Sequence, residues 1–129
     1  MPRTCTDTDR DGYEHALARA PGPVVLPGGT LISTCTRRVR NDAELQELGT
    51  VVHAVAEDLA ARARDGGDAR AALRLGFLSA AVARGADRSK GIASELARRV
   101  ETAGGGVRER SPAVSRALDA GLAAGAARG

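Results

Sequence analysis

Between Ala69 and Arg84 the chain reads ARAALRLGFLSAAVAR, a stretch without proline. At about 100° per residue, Ala71, Leu75, Leu78 and Val82 fall on one face of a helix. Ala72, Gly76, Ser79, Ala80 and Ala83 lie roughly opposite. One side is large and apolar and the other is small. A helix apolar on two sides belongs at the centre of a domain. Its small side, with Gly76 in the middle, admits another backbone at close range. Arg70, Arg74 and Arg84 share a third side with Leu73 and Phe77. There the aliphatic stems can cover apolar groups while the guanidinium heads stay in water.

Upstream, Asn41-Asp42 is a good N-cap pair. Leu45, Leu48, Val52, Val55 and Leu59 follow at steps of 3, 4, 3 and 4. That heptad-like stripe predicts a helix running to about Arg64. Asp65-Gly66-Gly67 ends it, and Asp68 is placed to cap the central helix. The two helices should therefore form an antiparallel hairpin. Downstream, Gly85 closes the central helix, and a third helix is expected from about Ser89 to Glu101, with Ile92, Leu96 and Val100 in register. Three consecutive glycines, Gly104 to Gly106, then break the pattern. Val114, Leu118 and Leu122 repeat the helical spacing, but Gly121 and Gly125 weaken it, and the last residues should fray.

The N-terminal part reads differently. Val24 to Leu26 and Thr30 to Val39 are rich in β-branched residues around a Pro27-Gly28-Gly29 turn, which predicts a β-hairpin. Residues 1–22 are polar and lack a sustained period. The expected architecture is mostly α with a small β part, a hairpin packed on a three-helix bundle. Residues 1–22 form a flexible arm, 23–103 the single domain, and 104–129 a Gly-rich linker with a weakly helical tail.

Composition narrows the chemistry. At 129 residues the chain supports one domain with a modest core. Aromatics are only 2%, Tyr13 and Phe77, so the core must be built from Leu, Val, Ile and Ala. Such a core yields less per residue, which makes a second copy or a partner protein attractive as added support. The Ala, Arg, Gly and Val bias fits a GC-rich bacterial genome. Two cysteines, Cys5 and Cys35, are too few for a disulfide scaffold, and no secretory or membrane-spanning segment is visible. A reduced, cytoplasmic protein is the expectation.

Several motifs invite specific chemistry. DTDRDG, residues 7–12, begins like a calcium loop, with Asp7, Asp9 and Asp11 at alternate positions and Gly12 after them. The loop position that needs a bidentate Glu is Ala18, so the ligand set is incomplete. Cys5, His15, Cys35 and His53 lack zinc-ligand spacing. No combination of nucleophile, base and acid stands out, so the reading leans against an enzyme, with neither cofactor nor metal. GIASEL (91–96) resembles the first helix of a helix-turn-helix, and SPAVSRAL (111–118) its recognition helix, as in many bacterial transcription regulators. The eleven residues between Val100 and Pro112 exceed the short turn of that motif.

Two function classes remain. The first is a non-enzymatic interaction or adaptor domain, self-associating or docking on a larger protein through Leu45, Leu48, Val52, Val55, Leu59 and the small face at Gly76. The second binds nucleic acid or phosphate through Arg84, Arg88, Ser89, Lys90, Arg98 and Arg99, joined by Arg37, Arg38 and Arg40. Charge geometry separates them: cations that converge on one face favour the second reading, and scattered cations the first.

Overall fold

The computed structural model describes all 129 residues as seven helices: α1 (Thr4–Asp7), α2 (Arg10–Leu17), α3 (Ile32–Arg37), α4 (Asp42–Gly66), α5 (Ala69–Ala86), α6 (Ser94–Ala103) and α7 (Pro112–Arg128). α5 is central. It packs against α2, α3, α4, α6 and α7, as its two apolar sides require.

The α4–α5 hairpin follows its punctuation. Asn41 Oδ1 accepts the Glu44 N–H at 2.9 Å, and Asp68 Oδ1 accepts the Ala71 N–H at 3.1 Å. Gly67 takes the left-handed conformation between them, φ 65°, which a side chain would resist. Leu48, Val52, Val55 and Leu59 are fully buried in one continuous core with Leu75, Phe77, Leu78 and Val82. Each such side chain contributes about 1.5–3 kcal/mol relative to exposure.

α7 is the main departure from the expected fold. Where a frayed tail is predicted, a helix runs to Arg128 and makes the most extensive helix–helix contact in the molecule, against α5. Ser111 caps it by accepting the Val114 N–H at 3.1 Å, and Pro112 opens it. The glycines that weaken α7 as an isolated helix are the ones that seat it. A Cβ on Gly121 would run into the Leu73 carbonyl, one on Gly125 into the Phe77 carbonyl, and one on Gly76 into the Leu118 carbonyl. Gly76 and Gly121 remove side chains from both surfaces, so the two backbones touch. The small face of α5 is thus occupied from within the chain.

The β-hairpin reduces to one antiparallel bridge between Leu26 and Thr30, closed by Leu26 N–H donating to Thr30 O at 2.8 Å. Gly28 and Gly29 make the turn at φ 86° and 84°. The expected second strand is instead the helix α3. Tertiary context overrides its β-propensity: Ile32, Cys35 and Thr36 share one face at helical spacing, and all three are buried. α3 reaches α5 at Gly85, where a Cβ would strike the Thr36 hydroxyl and the Ser33 carbonyl.

The N-terminal arm is also docked. Cys5 and Cys35 form a disulfide between α1 and α3, with Cα atoms 5.7 Å apart and both residues buried. This corrects the expectation of two reduced thiols. Tyr13 is buried, and its hydroxyl donates to the Cys5 carbonyl at 2.6 Å. Arg62 on α4 donates to Glu14 Oε1 on α2 at 2.6 Å and lies 3.1 Å from Asp58.

α6 starts five residues later than expected. Lys90 and Gly91 have φ of 58° and 90°, which no helix accommodates, so residues 87–93 form successive turns. Leu96 and Val100 enter the core, whereas Ile92 stays exposed.

Candidate functional site

Of the apolar residues expected at a docking surface, Leu48, Val52, Val55 and Leu59 lie in the core, Leu45 is partly buried against it, and Gly76 is covered by α7. The only large hydrophobic side chains left exposed are Val25 and Ile92.

The basic residues divide into two groups. Arg98 and Arg99 sit on α6 and are engaged by the same carboxylate, with Glu95 at 2.8 Å from Arg98 and 3.8 Å from Arg99. They line a groove between α4 and α6 with His53, Glu57, Glu95 and Thr102. His53 Nε2 lies 3.4 Å from Glu57 within it. This groove carries both signs of charge and has no net preference for an anion.

The second group converges. Arg37 at the end of α3, Arg84 in the last turn of α5 and Arg88 just beyond α5 line one pocket of about 130 Å³, together with Leu31, Ser33, Thr34 and Gly85. No carboxylate stands in its wall. None of the three arginines takes part in an ion pair. Cations in the last turns of α3 and α5 complement the partial negative charge at helix C-termini. That effect explains each arginine singly; their meeting at one pocket follows from the close approach of α3 to Gly85.

The remaining expected residues lie apart from this pocket. Ser89 is buried; its hydroxyl donates to Ala86 O at 2.7 Å and accepts the Ala93 N–H at 3.0 Å, joining the end of α5 to the start of α6. Its polar capacity is thereby spent on structure. Lys90 and Arg38 are exposed, and neither lines the pocket. Arg40 is held by Glu44, its guanidinium at 3.2 Å and its backbone N–H at 2.9 Å from the carboxylate. These two bonds hold the Glu44 carboxyl below its usual pKa.

Asp9 caps α2, accepting the Gly12 N–H at 2.8 Å, so residues 10–17 are helical and do not wrap as a calcium loop. No cluster of three or more His, Cys, Asp or Glu side chains is placed to hold a metal ion. The 104–111 segment separates α6 from α7 and keeps them from forming a helix-turn-helix. No helix is long and apolar enough to cross a membrane.

Sequence reasoning singled out Arg84, Arg88 and Arg37 but set them among cations that the fold places elsewhere. It missed Ser33, Thr34 and Leu31, because it read that segment as a strand. The chain matches no family model, and no curated protein or solved structure matches it.

Proposed function

We propose that the protein is a small anion-binding domain whose site is the Arg37/Arg84/Arg88 pocket. The observation that carries this reading is that three arginines without an ion pair line one pocket whose wall holds no carboxylate. Guanidinium forks match the oxygens of phosphate or carboxylate groups, and several lining one pocket can engage one anion together, which scattered surface cations do not. The adaptor reading is weaker, because the apolar residues it relied on are used inside the chain. The buried Cys5–Cys35 bridge favours an oxidising setting over a reduced cytoplasm.

The test is an NMR titration with sodium phosphate and sodium sulfate at constant ionic strength. The backbone signals of Ser33, Thr34, Arg37, Gly85 and Arg88 should move together and saturate, and an Arg84→Ala/Arg88→Ala double variant with unchanged helical signal should lose the response. Uniform small shifts, the same as those caused by chloride, would overturn the assignment.

A further inference from the structure

We infer that the pocket is built for the terminal phosphate of a phosphomonoester rather than for the phosphodiester backbone of a nucleic acid. This rests on the anion-binding reading above and specifies its ligand.

Size is the first argument. At about 130 Å³ the pocket is well below the roughly 300–1,000 Å³ of sites that enclose a whole small molecule. It admits a group and leaves the rest of the ligand outside. Charge is the second. A phosphomonoester carries about −1.5 to −2 at pH 7 and three terminal oxygens. Three arginines supply one fork for each oxygen, and a monoester offsets more of their charge than a singly charged diester does. A diester offers one charge and two terminal oxygens, which would leave one guanidinium facing no partner. The surroundings supply the third. Backbone tracking on a nucleic acid draws on a run of cations, commonly about 6–10 phosphate contacts. Here Arg98 and Arg99 are held by Glu95, and Arg40 by Glu44, which leaves Arg38 and Lys90 as the unpaired members of the expected basic set outside the pocket, fewer than such a run needs. Base stacking is also missing from the surface, because Tyr13 and Phe77 are both buried.

Positioning is the fourth. Arg37 belongs to α3, while Arg84 and Arg88 belong to α5 and its extension. Gly85 sits between the two cations of α5 and is the point where α3 rests. That helix contact fixes the backbone positions from which the three side chains start. Arg84→Lys keeps the charge but removes the fork, so it should lose affinity that a simple point-charge site would retain.

The experiment compares ligands at constant ionic strength: O-phosphoserine, a short phosphoserine peptide, dimethyl phosphate, and a single-stranded DNA 12-mer without terminal phosphates. The two monoesters should bind at least about tenfold more tightly than the diester per phosphate, and each Arg→Ala change should weaken them about tenfold, the effect of losing a charged hydrogen-bonding group. Monoester affinity should rise between pH 5.5 and 7.5 as the second phosphate proton leaves, near pH 6, while sulfate and the diester stay flat. A tighter phosphopeptide identifies a protein-borne phosphate, and a tighter free phosphoserine identifies a small metabolite; either supports the inference. DNA or dimethyl phosphate binding as tightly as the monoesters overturns it and leaves an anion site standing. No binding of any of these, nor of sulfate, removes the anion-binding reading itself.

Discussion

The two ends of the chain look equally loose in sequence, and the fold docks both by opposite means. α7 is held by the absence of side chains: Gly121 and Gly125 let its backbone rest on Leu73 and Phe77 of α5. The N-terminal segment is held by particular groups, namely the Cys5–Cys35 bridge, the Tyr13 hydroxyl on Cys5 O, and Arg62 on Glu14. The difference shows what hydrophobic periodicity can detect. It finds contacts made by large side chains at regular spacing. It is blind to contacts made by backbone, and to ties formed by one pair of residues far apart in sequence.

The sharpest way to break the comparison is Gly121→Leu. A side chain there meets backbone on α5, which cannot move aside as a flexible side chain would. α7 should undock, taking the burial of Val114 and Leu118 with it, at a cost of about 4 kcal/mol or more. Once undocked, the helix still carries Gly125, which costs about 1 kcal/mol of propensity relative to Ala, and an isolated helix of this length is marginal in water, so helical signal should fall as well. Ala123→Leu, on the exposed side of α7, is the control and should change the urea midpoint little. If Gly121→Leu unfolds no earlier than that control, α7 is not seated as described.

The counterpart at the other end is the Cys5→Ser/Cys35→Ser pair. The bridge spans 30 residues, and a loop of that size stabilises by about 3.5 kcal/mol through the unfolded chain's lost freedom. The double variant should show a lower urea midpoint and faster tryptic cleavage at the exposed Arg10 and Arg19. Hydrogen exchange in α7 should stay slow. The ends touch where Arg128 donates to Pro21 O at 2.8 Å; release of α7 beyond that last turn in this variant, or release of the N-terminal segment in Gly121→Leu, would show one cooperative unit instead of two separable attachments.

How much was legible follows the same division. Asn41, Asp68 and the Leu48–Val52–Val55–Leu59 stripe announced α4 and its turn into α5, because caps and large apolar faces write directly into sequence. The large face of Leu75, Leu78 and Val82 and the small face around Gly76 announced a central helix. What α5's small face receives was not legible, since Gly121 reads as helix-breaking unless its partner is known. α3 was read as a strand because Ile32, Thr34 and Thr36 favour one, and only Gly85, far along the chain, makes room for a helix there. The candidate site inherits that error: its α5 arginines were visible, but their company was not.

Tyr13→Phe probes the N-terminal attachment at one bond. It removes the donor to the buried Cys5 carbonyl and should cost about 1–3 kcal/mol at neutral pH. Burial also pushes the Tyr13 phenol well above its usual pKa. The unfolded chain therefore ionises first, near pH 10, and the stability of the wild-type protein should fall as pH rises through that range. Tyr13→Phe should flatten this alkaline limb in thermal melts, and an unchanged limb would show that Tyr13 is not shielded.

The smallest effect lies at Glu14, where α2 meets α4. Glu14 has Arg62 at 2.6 Å, yet its pKa is raised, because burial and the neighbouring Asp58 carboxylate outweigh the arginine. Asp58 is lowered in turn, chiefly by its hydrogen bond with Glu14. The two carboxyls thus oppose each other's charge, and it is Glu14 whose pKa rises. For Glu14 the folded pKa exceeds the unfolded value, so its contribution to stability is present below the usual 4.5 and is lost as pH rises through the folded value. For Asp58 the sign is opposite: its contribution is present above the usual 3.8 and is lost as pH falls through the lower folded value. The pair is therefore most stabilising in the narrow window between those limits. Glu14→Gln mimics the protonated form and should gain on the wild type as pH rises from 4 to 7, by under about 1 kcal/mol, the range of exposed ion pairs. Thermal melts at both pH values check it: a loss at pH 7 relative to pH 4 would mean that the Arg62 contact outweighs burial and Asp58 at Glu14.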